Sequence, residues 1–260
     1  MTGPAGALLA GKAISVAFGG VQALAGVDFE VHPRESLGII GPNGAGKTTL
    51  FNCISGLHRP AGRLVFEGRD LTRYRPPEIA RLGIARTFQN LELFRHMTTL
   101  DNLLLGRHLH FRSGLLAAAL AAPAWRREEM RHRERVEEIL DLLDLQAVRD
   151  RFVAGLSYGQ QKLVELGRAL ALEPKLLLLD EPSAGMTAEE KDELIDRVGD
   201  IRAEFGLAVL LVEHDLRMVG DLADRVLVLD HGQVIAAGTL EEVRRDPEVV
   251  RAYLGVGAAA

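Results

Sequence analysis

One cysteine and one tryptophan stand among 260 residues, and aromatic residues make up only 5% of the chain. A lone Cys53 allows no internal disulfide and no multi-cysteine metal centre, which fits a reducing compartment. It sits in an apolar helical pattern and reads as a small buried hydrophobe. A basic excess is also missing: Lys plus Arg number 31 against 36 for Asp plus Glu, a formal charge of -5. A nucleic-acid partner is therefore not expected, since it would call for a cationic face to neutralise phosphates. Nor is there a membrane-length apolar run. The longest, Leu115–Ala124, falls far short of the roughly 20 residues that cross a bilayer. Met1–Ala10 carries no positive charge ahead of its short apolar patch, so a secretion signal is not expected either. With 47% apolar and 26% charged residues, the chain has the balance of a globular protein with a full core.

Its organisation is α/β. Short β-favouring runs at Ile14–Phe18 and Val27–Val31 are separated by Gly19, Gly20 and Gly26, which predicts paired strands with turns at those glycines. Leu37–Ile40 is a compact apolar strand, and Arg63–Phe66 a further one. From Thr99 to Val148 the pattern turns helical, with Val136, Ile139, Leu140, Leu143 and Leu145 at helical spacing. Afterwards Leu176–Leu179 and Ala208–Val212 are continuous apolar runs, as in parallel strands covered on both faces. Helices are predicted at Ala188–Glu204 and Leu216–Asp221, and a hairpin at Arg225–Leu229 with Val234–Ala237 around His231 and Gly232.

Gly41-Pro42-Asn43-Gly44-Ala45-Gly46-Lys47-Thr48-Thr49 lies between an apolar strand and an apolar helix, the pattern of a phosphate-binding loop. Its glycines let backbone N–H groups converge on phosphate oxygens, and the helix adds its positive end. Lys47 should reach the β and γ phosphates of a nucleotide, and Thr48 should offer its hydroxyl to Mg2+. Asp180 and Glu181 end the strand Leu176–Leu179, where ligands of parallel sheets bind. Asp180 is expected to orient the Mg2+ ion and Glu181 to act as general base on the attacking water. Leu156-Ser157-Tyr158-Gly159-Gln160-Gln161 precedes another apolar helix. Ser157 caps it and, with Gly159, can receive an anion.

That last segment resembles the signature motif of ABC transporter ATPases, with Tyr158 in place of the commoner glycine, and it points to the family. The resemblance extends over 8–255 and is closest to the ATP-binding subunits of branched-chain amino-acid (Liv-type) importers, on Tyr158, the helical stretch Leu103–Arg135 and the ending Asp246–Gly255. It implies the ABC ATPase fold: a P-loop NTPase core over 8–98 and 173–255, an N-terminal antiparallel β subdomain, and an inserted helical subdomain over 99–172. ATP and Mg2+ are the implied ligands. Among the residues it implies, Gln89 senses the metal and γ-phosphate, His214 contacts the γ-phosphate, Phe18 stacks on adenine, and Ser157, Gly159 and Gln160 serve the ATP of a second copy. Ser183-Ala184-Gly185-Met186 stands where the family's D-loop usually carries an aspartate. The implied partners are a second ATPase subunit, identical or a sister, two transmembrane permeases, and indirectly a solute-binding protein. The implied location is the cytoplasmic face of the inner membrane. The Leu115–Ala122 stretch with Trp125 reads equally as a permease-facing surface or a buried hairpin. A lipopolysaccharide-type export ATPase and a soluble ABC ATPase outside transport remain as alternatives, and a non-hydrolysing switch is disfavoured by the presence of both Glu181 and His214.

Overall fold

The computed structural model describes residues 6–87, 91–111 and 123–255. Strands β1 (Leu9–Phe18) and β2 (Val21–Val31) form a hairpin that turns at Gly19 and Gly20. Gly26, expected to close a turn, lies instead inside β2 with φ of 73°, where the pairing register with β1 shifts. The extra residue of a β-bulge needs such a left-handed conformation, and glycine adopts it without a Cβ penalty. Strands β4 (Ala61–Phe66) and β5 (Arg69–Asp70) complete an antiparallel sheet of order β2-β1-β4-β5.

The second sheet is mostly parallel. It contains β3 (Ser36–Ile40), β6 (Ile84–Arg86), β7 (Leu176–Asp180), β8 (Ala208–Val212), β9 (Arg225–Asp230) and β10 (Gln233–Gly238), in the order β10-β9-β3-β8-β7-β6. Only β10, paired with β9, runs antiparallel. The central strands β3, β7 and β8 are buried at every position, which explains the apolar runs Leu37–Ile40, Leu176–Leu179 and Ala208–Val212 within them. Sequence patterning does not mark β6, because three residues are too few to show a period.

Alternation along β7 divides the interior. Leu176 and Leu178 join the core that holds Leu50, Phe51 and Ile54 of helix α1 (Lys47–Ile54). Leu177 and Leu179 join the opposite core. There they meet α3 (Thr99–Gly106), α4 (Pro123–Leu142), α5 (Tyr158–Leu170) and α6 (Ala188–Phe205); a sixth short helix, α2 (Pro76–Arg81), lies ahead of β6. Each such buried leucine contributes about 1.5–3 kcal/mol relative to exposure. By the same two-residue period Asp180, next along β7, falls on the α1 side. The helical residues foreseen from spacing, Val136, Ile139, Leu140, Leu143 and Leu145, are all buried in the second core. Helices α7 (Leu216–Leu222), α8 (Leu240–Arg245) and α9 (Pro247–Gly255) close the chain. Residues 112–122, which hold most of the alanine-rich stretch, lie outside the described residues.

Cys53 sits on the inner side of α1 at 2% exposure, and burial pushes its thiol up to about 12. Only the thiolate alkylates readily. Iodoacetamide at about pH 8 should therefore leave the native protein unmodified for hours and label it quickly once unfolded. Mass spectrometry reads both states, and labelling of the native chain at the unfolded rate would show that α1 is not packed as described.

Candidate functional site

The turn from β3 into α1 is built for anions. Gly41, Gly44 and Gly46 all have positive φ, of 149°, 80° and 104°. Helix α1 has Gly46 as its N-cap, no side-chain cap and no acidic residue in its first turn. By contrast Thr98, Ser157, Thr187, Asp215 and Thr239 cap α3, α5, α6, α7 and α8 with side-chain oxygens. The first amides of α1 are thus left for an external acceptor, at the positive end of the helix. Lys47 is 5% exposed, and its Nζ donates to the carbonyls of Gly41 at 2.7 Å and Pro42 at 2.9 Å. Burial pulls its pKa below the ordinary lysine value, while the charges of Glu181 and Asp180 raise it. Thr48 is exposed at the start of the helix, as are Asn43 and Gly44 in the turn, while Ala45 is buried and Pro42 and Thr49 half-buried. Phe18, at the hairpin tip, is 46% exposed and meets His58 edge-on with ring centroids 5.0 Å apart.

Opposite the turn stand the carboxylates. Asp180 Oδ2 accepts from Arg86 Nη2 at 2.7 Å in a nearly buried pair. Arg86 also donates from Nη1 to Asn52 Oδ1 at 2.8 Å and Ser55 Oγ at 3.2 Å, so it joins β6, β7 and α1. Glu181 adopts φ of 47°, a conformation that costs a non-glycine residue about 1 kcal/mol or more. Its amide donates to Val212 O at 2.9 Å, which holds that conformation in place. His214 Nε2–H donates to Glu181 Oε1 at 3.0 Å. Behind them Glu213 is 3% exposed and accepts three backbone N–H groups: Ser183 at 2.9 Å on Oε1, His214 at 2.9 Å and Asp215 at 3.3 Å on Oε2.

The polar partners of the Ser157 segment lie elsewhere. Ser157 Oγ accepts from Gln160 N at 3.2 Å and Ser157 N donates to Gln160 Oε1 at 3.1 Å, a capping box. The Gly159 amide donates to Glu190 Oε1 at 3.2 Å. Gln89 falls in 88–90, outside the described residues. The structure therefore brings Lys47, Asp180, Glu181 and His214 to one edge of the sheet.

Residues 24–184 match the family described as ABC transporter. The chain belongs to that family. Residues 233–259 match a second description, the branched-chain amino acid ATP-binding cassette transporter. The chain is 39% identical to the high-affinity branched-chain amino acid transport ATP-binding protein BraF of Pseudomonas aeruginosa, over 93% of this chain and 95% of that protein. It is 38% identical to LivG of Escherichia coli K12, which bears the same description, over 95% of this chain and 98% of that protein. Among solved structures it resembles a nucleotide-free ATP-binding cassette from an ABC transporter, with a TM-score of 0.82, 36% identity, and 95% and 98% of the two chains covered. It resembles the ADP conformation of the cassette MJ1267 with a TM-score of 0.83, 37% identity, and 96% and 99% covered.

For this ABC cassette, sequence reading missed Arg86 and Glu213. Glu213 had a signal, a charged residue ending the apolar run Ala208–Val212 where a strand delivers it to a site edge; Arg86 had none, because β6 is too short to show a period. Glu190 gave none, since an acidic residue in the first turn of a helix is ordinary. Removing Glu213 would orphan three amides, at about 1–3 kcal/mol for a buried unsatisfied group. Glu213→Ala should therefore lower the urea midpoint and depress ATP turnover by displacing His214, with nucleotide affinity nearly kept. An unchanged midpoint would remove Glu213 from this role.

Proposed function

We propose that this cassette is the ATP-binding and ATP-hydrolysing subunit of an importer for branched-chain or other hydrophobic amino acids. Its end-to-end likeness to BraF and LivG carries the proposal, together with the match of 233–259 to the branched-chain amino acid transport family. Among the described residues no helix is long and apolar enough to cross a membrane, so the cassette meets the bilayer through its permeases, at the cytoplasmic face.

The triphosphate of ATP takes over the Lys47 ammonium from the Gly41 and Pro42 carbonyls and accepts from the free amides at the start of α1. Phe18 lies open at the hairpin tip for adenine stacking. Mg2+ suits the donor set: one exposed hydroxyl, Thr48, and one carboxylate, Asp180, with Gln89 as a further oxygen donor. Among the described residues no group of three or more His, Cys, Asp or Glu could hold a metal alone, as befits an ion that phosphate oxygens largely coordinate. When bound, it neutralises charge on the β and γ phosphates. Glu181, aimed by its backbone bond to Val212, accepts a proton from water as the water oxygen bonds to the γ-phosphorus and the bond to ADP breaks. The Nε2–H that His214 gives to Glu181 turns to the γ-phosphate once ATP is in place.

A phosphate turn by itself leaves one side of the γ-phosphate in water. The helix start at Ser157, Gly159 and Gln160 of a second copy or a sister ATPase closes that side in a head-to-tail dimer. ATP thus joins the two subunits and hydrolysis releases them, a population shift that moves the attached permeases. The core over 8–98 and 173–255 and the helical subdomain over 99–172 are the moving parts of this reading.

Glu181→Gln should keep ATP binding and lower turnover about 100-fold or more; near-normal phosphate release would refute the assigned base. Ser157→Ala and Lys47→Ala, each inactive, should regain part of the turnover when mixed, because one hybrid site is then intact. No recovery in a mixture shown to form hybrid dimers would overturn the head-to-tail arrangement.

A further inference from the structure

Two helix starts share one carboxylate. Glu190 lies in the first turn of α6, where its Oε2 accepts from Thr187 N at 3.0 Å and its amide donates to Thr187 Oγ1 at 3.3 Å. Its other oxygen, Oε1, leaves that helix and accepts the Gly159 amide at the start of α5, at 3.2 Å. The approach is close enough that a Cβ on Gly159 would lie 2.5 Å from Glu190 Oε1. A side chain at that position would push the Glu190 carboxylate aside. Beside it the Tyr158 ring covers Gly185, where a Cβ would lie 3.3 Å from the ring. The start of α5 is therefore fastened to the segment 183–190 by one ring contact and one anionic hydrogen bond.

In the head-to-tail reading, on which this inference rests, the Gly159 amide is one of the donors the second copy's γ-phosphate needs. That amide cannot serve two anions at full strength, and a fixed negative charge within hydrogen-bond reach of it repels the incoming phosphate. We propose that Glu190 is an intramolecular occupant of the Gly159 donor, a positioning residue that ATP must displace before two subunits close. Displacement leaves Glu190 Oε2 on Thr187 N, so α6 keeps its cap while Oε1 is freed. The cost of closure is then electrostatic and local, and it lies in the subunit that completes the site rather than the one that grips the nucleotide. The same segment continues to Ser183, whose amide is held by Glu213 beside His214. Release of Glu190 thus reaches that copy's own hydrolytic edge, although Ser183–Met186 lacks the aspartate the family usually carries there.

The test uses the Glu181→Gln protein, in which bound ATP is not consumed, with and without Glu190→Gln. Glutamine keeps one carbonyl oxygen for the capping box with Thr187 and turns an NH2 donor toward Gly159, so it removes both the charge and the acceptor that occupies that amide. Sedimentation across an ATP titration gives the concentration at which half the protein is dimeric, and Glu190→Gln should lower it about 3- to 10-fold. ATP affinity of the single subunit, measured at protein concentrations below dimerisation, should not move. Glu190→Ala removes the same charge and should shift the midpoint in the same direction, which provides a second reading should the glutamine variant fold poorly. A midpoint that stays or rises while the parent dimerises overturns the role of Glu190 alone. A parent that binds ATP and never dimerises overturns the head-to-tail reading, and this inference with it.

Discussion

Between β3 and α1 the backbone passes so near β9 that a Cβ on Gly41 would lie 2.0 Å from the Leu229 carbonyl oxygen, and one on Gly46 would lie 2.6 Å from that of Ala23. This squeeze brings the two sheets together at the turn from β3 into α1. Gly232, in the turn from β9 to β10, donates its amide to Ala45 O at 3.0 Å and accepts from Ala25 N of β2 at 2.8 Å. The turn proposed to grip phosphate is therefore held on both sides, by the antiparallel sheet and by the β9–β10 hairpin. A larger residue at either glycine would push the turn off those supports and misdirect the amides at the start of α1. Preorganised donors stabilise charge without reorganising when it arrives, and here the preorganisation comes from backbone contacts.

Around that edge, acidic side chains divide the labour by environment. Asp180 is buried against Arg86, which neutralises it and ties it to α1. Glu181 is part-exposed, strained at φ of 47° and in contact with His214. Glu213 is buried and fully engaged with backbone amides, so its task is to shape the loops that carry Ser183 and His214. Three carboxylates within a short span of the fold thus sit in three settings: one paired with an arginine, one part-exposed beside a histidine and proposed as the base, and one bonded to backbone amides. Burial and hydrogen-bond partners, rather than residue type, separate them.

The missing D-loop aspartate takes on meaning in this setting. The segment that lacks it is anchored at one end by Glu213 and at the other by Glu190 with Thr187, and Tyr158 packs over Gly185 between them. Contact between the helix start at Ser157 and the edge that carries Glu181 and His214 therefore runs through two glutamates and a tyrosine that belong to neighbouring elements.

The turn Gly41–Thr49, the strand ending in Asp180 and Glu181, the capped helix at Ser157 and the buried face of α4 were legible in the sequence by itself, because each is a local pattern whose period or glycine content has one physical use. The short strand β6, the bulge at Gly26, the Arg86–Asp180 pair and the bridge from Glu190 to Gly159 were decided only by the tertiary structure. Arg86 and Asp180 are separated by 94 positions, and Gly159 and Glu190 by 31. No local period encodes such pairs; they form because the packing of strands and helices brings residues distant in sequence within hydrogen-bond reach.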